Sequence, residues 1–310
     1  MRIFVAGGAG VLGRRLIPQL VDRGHQVTAT TTSADKLSLL GQLGAVGVVM
    51  NGLDAESVGK AVAAARPDVI VHQMTGISRV HAGKPDTKHW DRYFATTNRL
   101  RTEGTDHLLA AARATGVGHV VAQSYAGWNG VHEGGWVKTE QDPLYQGTGT
   151  TFSTSADAIC HLEDVVVRAG GVALRYGALY GPGASDDQVE LLRRRQYPLV
   201  GSGEGYMSWV HLDDAASATV LVVEQRARGV FNIVDDEPAP AREWLPYLAA
   251  SAGMRPPLRV PGWLARLLAG DVPVSMMTEG RGFSNARAKR ELGWALRYPS
   301  WRAGFREGLQ

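Results

Sequence analysis

Cysteine is almost missing from this chain. The single residue, Cys160, excludes an intrachain disulfide and any multi-cysteine metal site. Its surroundings, Ala158-Ile159-Cys160-His161-Leu162, read as a helix core position rather than a nucleophile. Lysine is scarce too: six of the 33 cationic residues, and none of the nine tyrosines has a lysine four residues later. That spacing is what sets a phenol and an activating ammonium on one helix face, so chemistry built on such a pair is excluded. No apolar run approaches the length of a membrane span, and residues 3–6 read as a strand rather than a secretory core, so a soluble, cytoplasmic protein is expected. There is no block of like charge, and 33 basic residues nearly balance 30 acidic ones, which argues against a nucleic-acid partner.

What is present is a chain of 310 residues, 44% hydrophobic, enough for a full core. Apolar strands at Ile3–Ala6, Gln26–Thr30, Val46–Met50, Val69–His72, His119–Gln123 and Val172–Arg175 alternate with helical patterns at Leu12–Arg23, Ala55–Ala65, Tyr93–Ala114 and Asp157–Ala169. Strict alternation predicts an α/β fold, a doubly wound parallel sheet with its crevice at the carboxyl ends of the strands. After Arg175 the texture changes, and the C-terminal third holds eight of 14 prolines. The expected division is a nucleotide-binding domain of 1–175 plus 205–232, with a smaller, irregular substrate lobe of 176–204 plus 233–310. Val210–Glu224 is expected to be a helix returning to the first domain.

Gly7, Gly10 and Gly13 follow the first strand and open the first helix. The first allows the tight turn, the second lets backbone approach a pyrophosphate, and the third lets helix and strand pack closely, with the anion over the helix N-terminus. At the end of the second strand stand Thr30-Thr31-Thr32-Ser33, with Lys36 nearby, where a carboxylate would select NAD. Hydroxyls can donate to a 2′-phosphate and no carboxylate repels it, although no arginine stands in that run. NADP(H) is therefore the preferred cofactor, with NAD(H) as the alternative.

These residues resemble an extended short-chain dehydrogenase/reductase of the NAD-dependent epimerase/dehydratase family, over nearly the whole chain. Leu174-Arg175-Tyr176-Gly177-Ala178-Leu179-Tyr180-Gly181-Pro182-Gly183 is similar to the segment after strand six whose backbone reaches the nicotinamide. Trp209-Val210-His211-Leu212-Asp213-Asp214 resembles the return helix, and Gly229–Ile233 and Asn285–Trp294 resemble the C-terminal pattern. The resemblance implies cofactor contacts from Gly7, Gly10, Val11, Leu12 and Gly13; Thr31, Thr32 and Ser33; Asn51, Gly52 and Leu53; Gln73, Met74 and Thr75; and Tyr176, Gly177 and Leu179. Asn51 replaces the aspartate that contacts adenine in the family, and Arg101 replaces an asparagine three residues before Gly104-Thr105.

The departures matter as much as the matches. Alignment puts Tyr125 at the family's catalytic serine or threonine, with Ser124 one residue earlier, and puts Ser155 and Ile159 at the tyrosine and lysine. The chain therefore resembles atypical members that keep the fold without the Ser-Tyr-Lys set, among them angucyclinone-type ketoreductases of aromatic polyketides. The implied activity is reduction of a carbonyl on a bulky aromatic small molecule. Tyr125 and Ser124 would face the reacting carbon, Ser78, Trp128 and Tyr206 would contact substrate, and substrate or water would supply the proton if Tyr125 does not. Arg101, His72 and His81 are candidates to assist. No metal is expected, and the assembly is a monomer or homodimer. A nucleotide-sugar epimerase or dehydratase, with Arg193-Arg194-Arg195 as a diphosphate clamp, and a non-catalytic NAD(P)-binding sensor or partner protein stand as alternatives.

Overall fold

The computed structural model describes residues 1–77, 87–127, 132–144 and 152–309. Seven parallel strands form the central sheet: β1 (Arg2–Ala6), β2 (Gln26–Thr31), β3 (Val46–Val49), β4 (Val69–His72), β5 (Val120–Tyr125), β6 (Val172–Tyr176) and β7 (Gly229–Ile233). Their order across the sheet is β7-β6-β5-β4-β1-β2-β3. The order reverses between β1 and β4, which run side by side with Ile3 opposite Val69 and Ala6 opposite His72. A crevice opens where the order reverses, at the carboxyl ends of the strands. The expected doubly wound architecture is therefore the one found.

Alternation along β1 explains the layers. Ile3 and Val5 enter one apolar cluster, with Leu16, Ile17 and Leu20 of α1 (Gly13–Asp22). The same cluster takes Ala215, Ala218 and Val222 of the return helix, Leu212–Gln225. Phe4 and Ala6 point the other way, into a second cluster with Val58 and Val62 of the helix Ala55–Ala65 and Leu162 and Val166 of the helix Ser153–Arg168. Both faces of the strand are thus apolar, as a sheet covered on both sides requires. A third cluster, centred on Tyr180, Trp209, Trp244, Trp301 and Phe305, forms the core of the more irregular C-terminal part.

The helix expected over Tyr93–Ala114 is instead three pieces, Trp90–Tyr93, Ala95–Arg101 and Glu103–Thr115. The break at Thr102 (φ −92°, ψ −84°) bends the path rather than ending it, because Thr102 N still donates to Asn98 O and Asp106 N to Thr102 O. Threonine hydroxyls on either side bond backward, Thr102 Oγ1 to Asn98 O at 3.1 Å and Thr105 Oγ1 to Arg101 O at 2.7 Å. Such back-bonding competes with the helical ladder and bends helices. Leu100 and Arg101 at this bend line the crevice. We label the two pieces that frame it α2 (Ala95–Arg101) and α3 (Glu103–Thr115), and the helix Ser153–Arg168 α4. The return helix Leu212–Gln225 is α5; it begins after a short strand, Trp209–His211, rather than at Val210. Among the described residues no helix is long and apolar enough to cross a membrane.

Candidate active site

The crevice is a cleft of about 430 Å³ walled by the turns that leave the strands. Gly7, Gly10, Val11, Leu12 and Gly13 line it after β1, Thr31 and Thr32 after β2, and Asn51, Gly52 and Leu53 after β3. Gln73, Met74 and Thr75 follow β4, Ser124 and Tyr125 end β5, and Tyr176, Gly177 and Leu179 follow β6. The structure thus gathers residues spread over most of the sequence onto one surface. Ser33 is not in the lining; its hydroxyl bonds the Asp35 carboxylate in the next turn. Asn51 closes a turn of its own, its side-chain oxygen accepting from Leu53 N at 3.2 Å.

The backbone here is shaped for close approach. Gly7 has φ +89°, and a Cβ on it would lie 2.6 Å from the Gln73 carbonyl oxygen. A Cβ on Gly13 would collide with the Gly8 backbone. Gly7 N donates to Thr30 Oγ1 at 3.0 Å, which ties the turn to β2 and occupies one hydroxyl of the threonine run. Among the described residues three cations, Arg14, Lys36 and Arg101, line the cleft, and no aspartate or glutamate does. Arg14 sits in the first turn of α1 with its Nε donating to Ala9 O at 3.0 Å. It supplies an arginine to this wall from the glycine loop, where sequence inspection of the threonine run found none; the signal was its place directly after Gly13. A glycine-walled cleft at a helix N-terminus fits a dinucleotide.

At the other end of the cleft, beside β5 and β6, the polar groups are largely committed to one another. Ser124 Oγ donates to Glu163 Oε1 at 2.5 Å. Glu163 also receives a two-pronged ion pair from Arg175, Nε to Oε1 at 2.9 Å and Nη2 to Oε2 at 2.7 Å. All three side chains are buried. Neither Glu163 nor Arg175 was singled out in the sequence as a site residue, and nothing in their spacing announced the pair. Ser155 and Ile159 are each 1% exposed on α4 and line no part of the cleft. Ser155 Oγ accepts from Asn98 Nδ2 at 2.9 Å and donates to Asp91 Oδ1 at 3.3 Å. Ile159 packs with Phe152, Ala156 and Val272.

Tyr125 touches the cleft on one side and this apolar cluster on the other. Burial pushes its phenol up to about 12, with the Arg101 charge pulling partly against that. Tyr176 also lines the cleft. Its phenol accepts from Gln73 Nε2 at 3.2 Å and bonds Thr219 Oγ1 of α5 at 2.6 Å, and burial likewise lifts it to about 12. Arg101, at the bend after α2, is partly buried, and burial lowers it to about 10, so it keeps its charge at neutral pH. Among the described residues its guanidinium makes no hydrogen bond or ion pair. His72 is not a cleft residue: it is buried beneath α2, its Nε2 donating to Leu100 O at 3.2 Å while Nδ1 accepts from Met74 N at 3.1 Å. Burial lowers it to about 4, so the ring is neutral and structural.

Ser78, His81 and Trp128 lie outside the described residues. Tyr206 is not in the cleft lining; it stacks on Trp136 at 5.4 Å between ring centroids, and Arg281 covers the other aromatic partner at 4.3 Å. Arg193 and Arg194 are exposed and pair with Glu190 on their own helix, as an ordinary solvated face does.

Residues 3–234 match the NAD dependent epimerase/dehydratase family. The chain is 41% identical over 312 aligned residues to a 3-diazoavenalumate denitrifying reductase from a Streptomyces species, covering 98% of this chain and 99% of that one. It is 29% identical to a 2-alkyl-3-oxoalkanoate reductase of Stenotrophomonas maltophilia (strain K279a), covering 82% of this chain and 76% of the relative. The fold is shared with the UDP-glucose 4-epimerase of Thermus thermophilus solved with NAD, at TM-score 0.77 and 23% identity, covering 100% and 98% of the two chains. The glycine cradle, the sheet order and these likenesses agree: the chain belongs to the NAD dependent epimerase/dehydratase family and is an NAD(P)-dependent oxidoreductase.

Proposed function

We propose that this protein is a reductase that delivers hydride to an aromatic substrate without a protein acid at the reacting atom, and that the acceptor is an aryl diazo group lost as dinitrogen. The observation that carries the reading is the state of the dyad positions: Ser155 is held by Asn98 and Asp91, and Ile159 lies in an apolar cluster. Hydride plus an aryl diazonium gives an arene and dinitrogen, with atoms and charge balanced and no proton required. A ketone needs one proton at oxygen for each hydride, and in this family a phenol acidified by lysine normally gives it. The likeness to a denitrifying reductase over nearly the whole chain supports the same reading.

When bound, the nicotinamide supplies the hydride. The residues that would hold the cofactor are the glycine turn, Asn51–Leu53, Gln73–Thr75 and the Tyr176–Leu179 backbone. Arg14 and Lys36, with Thr31 and Thr32, favour the extra phosphate of NADPH, since among the described residues no carboxylate in the lining opposes it. Ser124 does not act as an acid, because its proton is given to Glu163. Tyr125 positions the aromatic substrate as a wall of the cleft. The substrate lies against the lobe of 176–204 and 233–310.

A second reading is favoured by one observation. Tyr125 lines the cleft within the field of Arg101, so a phenol and a cation face the reacting end from β5 and α2 rather than from one helix. That pair could serve the reduction of a carbonyl on a bulky aromatic compound. The test uses NADPH deuterated at C4 with an aryl diazonium salt and with hydroxyaryl ketones. Deuterium on the arene carbon, dinitrogen release and no proton uptake per NADPH support the first reading. Deuterium in a carbinol, with one proton consumed, replaces it with the second. Failure to label any product despite cofactor binding overturns both.

A further inference from the structure

The family fold puts Arg101 where it has no obvious duty. It stands at the bend after α2, on the cleft wall with Thr96 and Leu100, and opposite the β5 end at Gln123–Tyr125. This is the reacting end: the cations suited to the cofactor's phosphates, Arg14 and Lys36, lie at the β1 and β2 side of the sheet, across the switch point. The carboxylate whose field reaches Arg101 is that of Glu163, and Glu163 is already taken by both prongs of Arg175 and by Ser124. A charged guanidinium in a partly buried cleft wall, paired with no carboxylate among the described residues, is available to an anionic ligand. Its planar fork matches a carboxylate with two parallel hydrogen bonds.

We propose that Arg101 anchors a carboxylate of the substrate, so that the protein acts on aromatic acids and discriminates against their esters and amides. The proposal rests on the reading that a substrate is reduced in this cleft, and it names the class of that substrate. The anchor sits beside the Tyr125 wall, so a flat acid gripped at Arg101 would lie along that ring with its far end directed over the β5–β6 side of the cleft. Arg101 is a positioning and specificity residue here; no proton or electron passes through it.

The test needs no turnover. Hydroxycinnamate and its methyl ester are titrated into the protein–NADP+ complex, with wild type, Arg101→Gln and Arg101→Lys. Wild type should bind the acid on the order of tenfold to a hundredfold tighter than the ester, the ordinary worth of a charge-assisted contact. Arg101→Gln should erase that preference while leaving NADP+ affinity unchanged, and Arg101→Lys should restore part of it. Equal binding of acid and ester by wild type overturns the proposal. So does an unchanged preference in Arg101→Gln, or a loss of NADP+ affinity with the acid preference intact, which would make Arg101 a clamp for cofactor phosphate. Unaltered NADP+ binding also certifies that the variants are folded. An acid preference that depends on Arg101 in a protein that reduces no diazonium sinks the diazo reading alone.

Discussion

Replacing Tyr125 with phenylalanine separates the two readings of the active site most sharply. The ring keeps its place: it packs against Phe152, Ala156, Ile159 and Val272, and only the hydroxyl beside Gly127 is lost. Loss of one hydroxyl should lower stability by about 1 kcal/mol, too little to unfold a domain of this size. The chemical effect depends on the acceptor. Burial holds the phenol at about 12 against 10 in water, so forming its anion is harder by about 3 kcal/mol than for an ordinary tyrosine. A tyrosine of this kind is a reluctant acid, and the fully charged Arg101 has not brought it down. If hydride transfer needs no proton, Tyr125→Phe should keep its single-turnover rate within about threefold of wild type, with a solvent isotope effect near unity in both. If Tyr125 is the general acid, the rate should fall by roughly 10² to 10⁴. Stopped-flow oxidation of NADPH by saturating substrate, in light and heavy water, reads both quantities. A hundredfold loss of rate with cofactor affinity intact would refute the account of an active site without a protein acid.

Glu163→Gln should destabilise the protein by about 3–5 kcal/mol, because it leaves the buried Arg175 with half of its partner gone, and a Glu163→Met/Arg175→Met double variant should recover much of that loss in urea unfolding. His72 has a folded pKa of about 4 against 6.5 unfolded; between those values the unfolded chain binds the extra proton, so stability falls as pH drops from 6.5 towards 4. At pH 5 this amounts to about 2 kcal/mol, and the pH slope of unfolding should flatten by that much in His72→Gln; an identical slope would remove His72 from the account. Gly13→Ala forces a methyl into the Gly8 backbone and should abolish tight NADPH binding by fluorescence titration, whereas Gly10→Ala, whose Cβ would meet only the Gly7 oxygen at 3.3 Å, should bind more weakly than wild type but measurably.

The parts of this molecule legible in the sequence are those whose cause is local. The glycine turn follows an apolar strand and opens a helix within thirteen residues, so spacing alone placed it. Each later segment of the cleft wall stands at or just after a strand end, and a doubly wound sheet sends every such segment to one edge; that is why Thr31, Asn51, Gln73 and Tyr176 meet although they are far apart in the chain. What sequence spacing could not carry was the direction of side chains set by distant partners. Ser124 was expected to face the reacting carbon, but Glu163, carried on α4 and oriented by Arg175 of β6, takes its hydroxyl. Ser33 was expected beside a phosphate, but Asp35 two residues on holds it. The helix over 93–114 looked continuous because apolar periodicity survives a bend, and the threonines that cause the bend are unremarkable by composition. Arg14 reaches the same wall from the first turn of α1, a convergence that the run after the second strand does not encode.

On the proposed reading, Ser155 and Ile159 stand at the positions that resemble the family's dyad, and electrostatics gives a reason for their departing together. A lysine at 159 would put its ammonium into the cluster of Phe152, Ala156 and Val272, where an unpaired charge costs several kcal/mol. A tyrosine at 155 without that lysine would be one more buried phenol driven upward, as Tyr125 and Tyr176 already are. Either partner alone would be a liability, so a reaction without demand for a proton donor would let both go. The space then closes with an isoleucine in apolar contact and a serine satisfied by Asn98 and Asp91, leaving neither group unpaired. The cation that remains at the reacting end belongs to another helix. Arg101 cannot share a helix face with residue 155 and acidify a phenol there, but it keeps its charge and its fork free for an anion. On the proposed reading, the scaffold that elsewhere places a proton would here place a charge, and selection at this site would act on how the substrate is held rather than on how its oxygen is protonated.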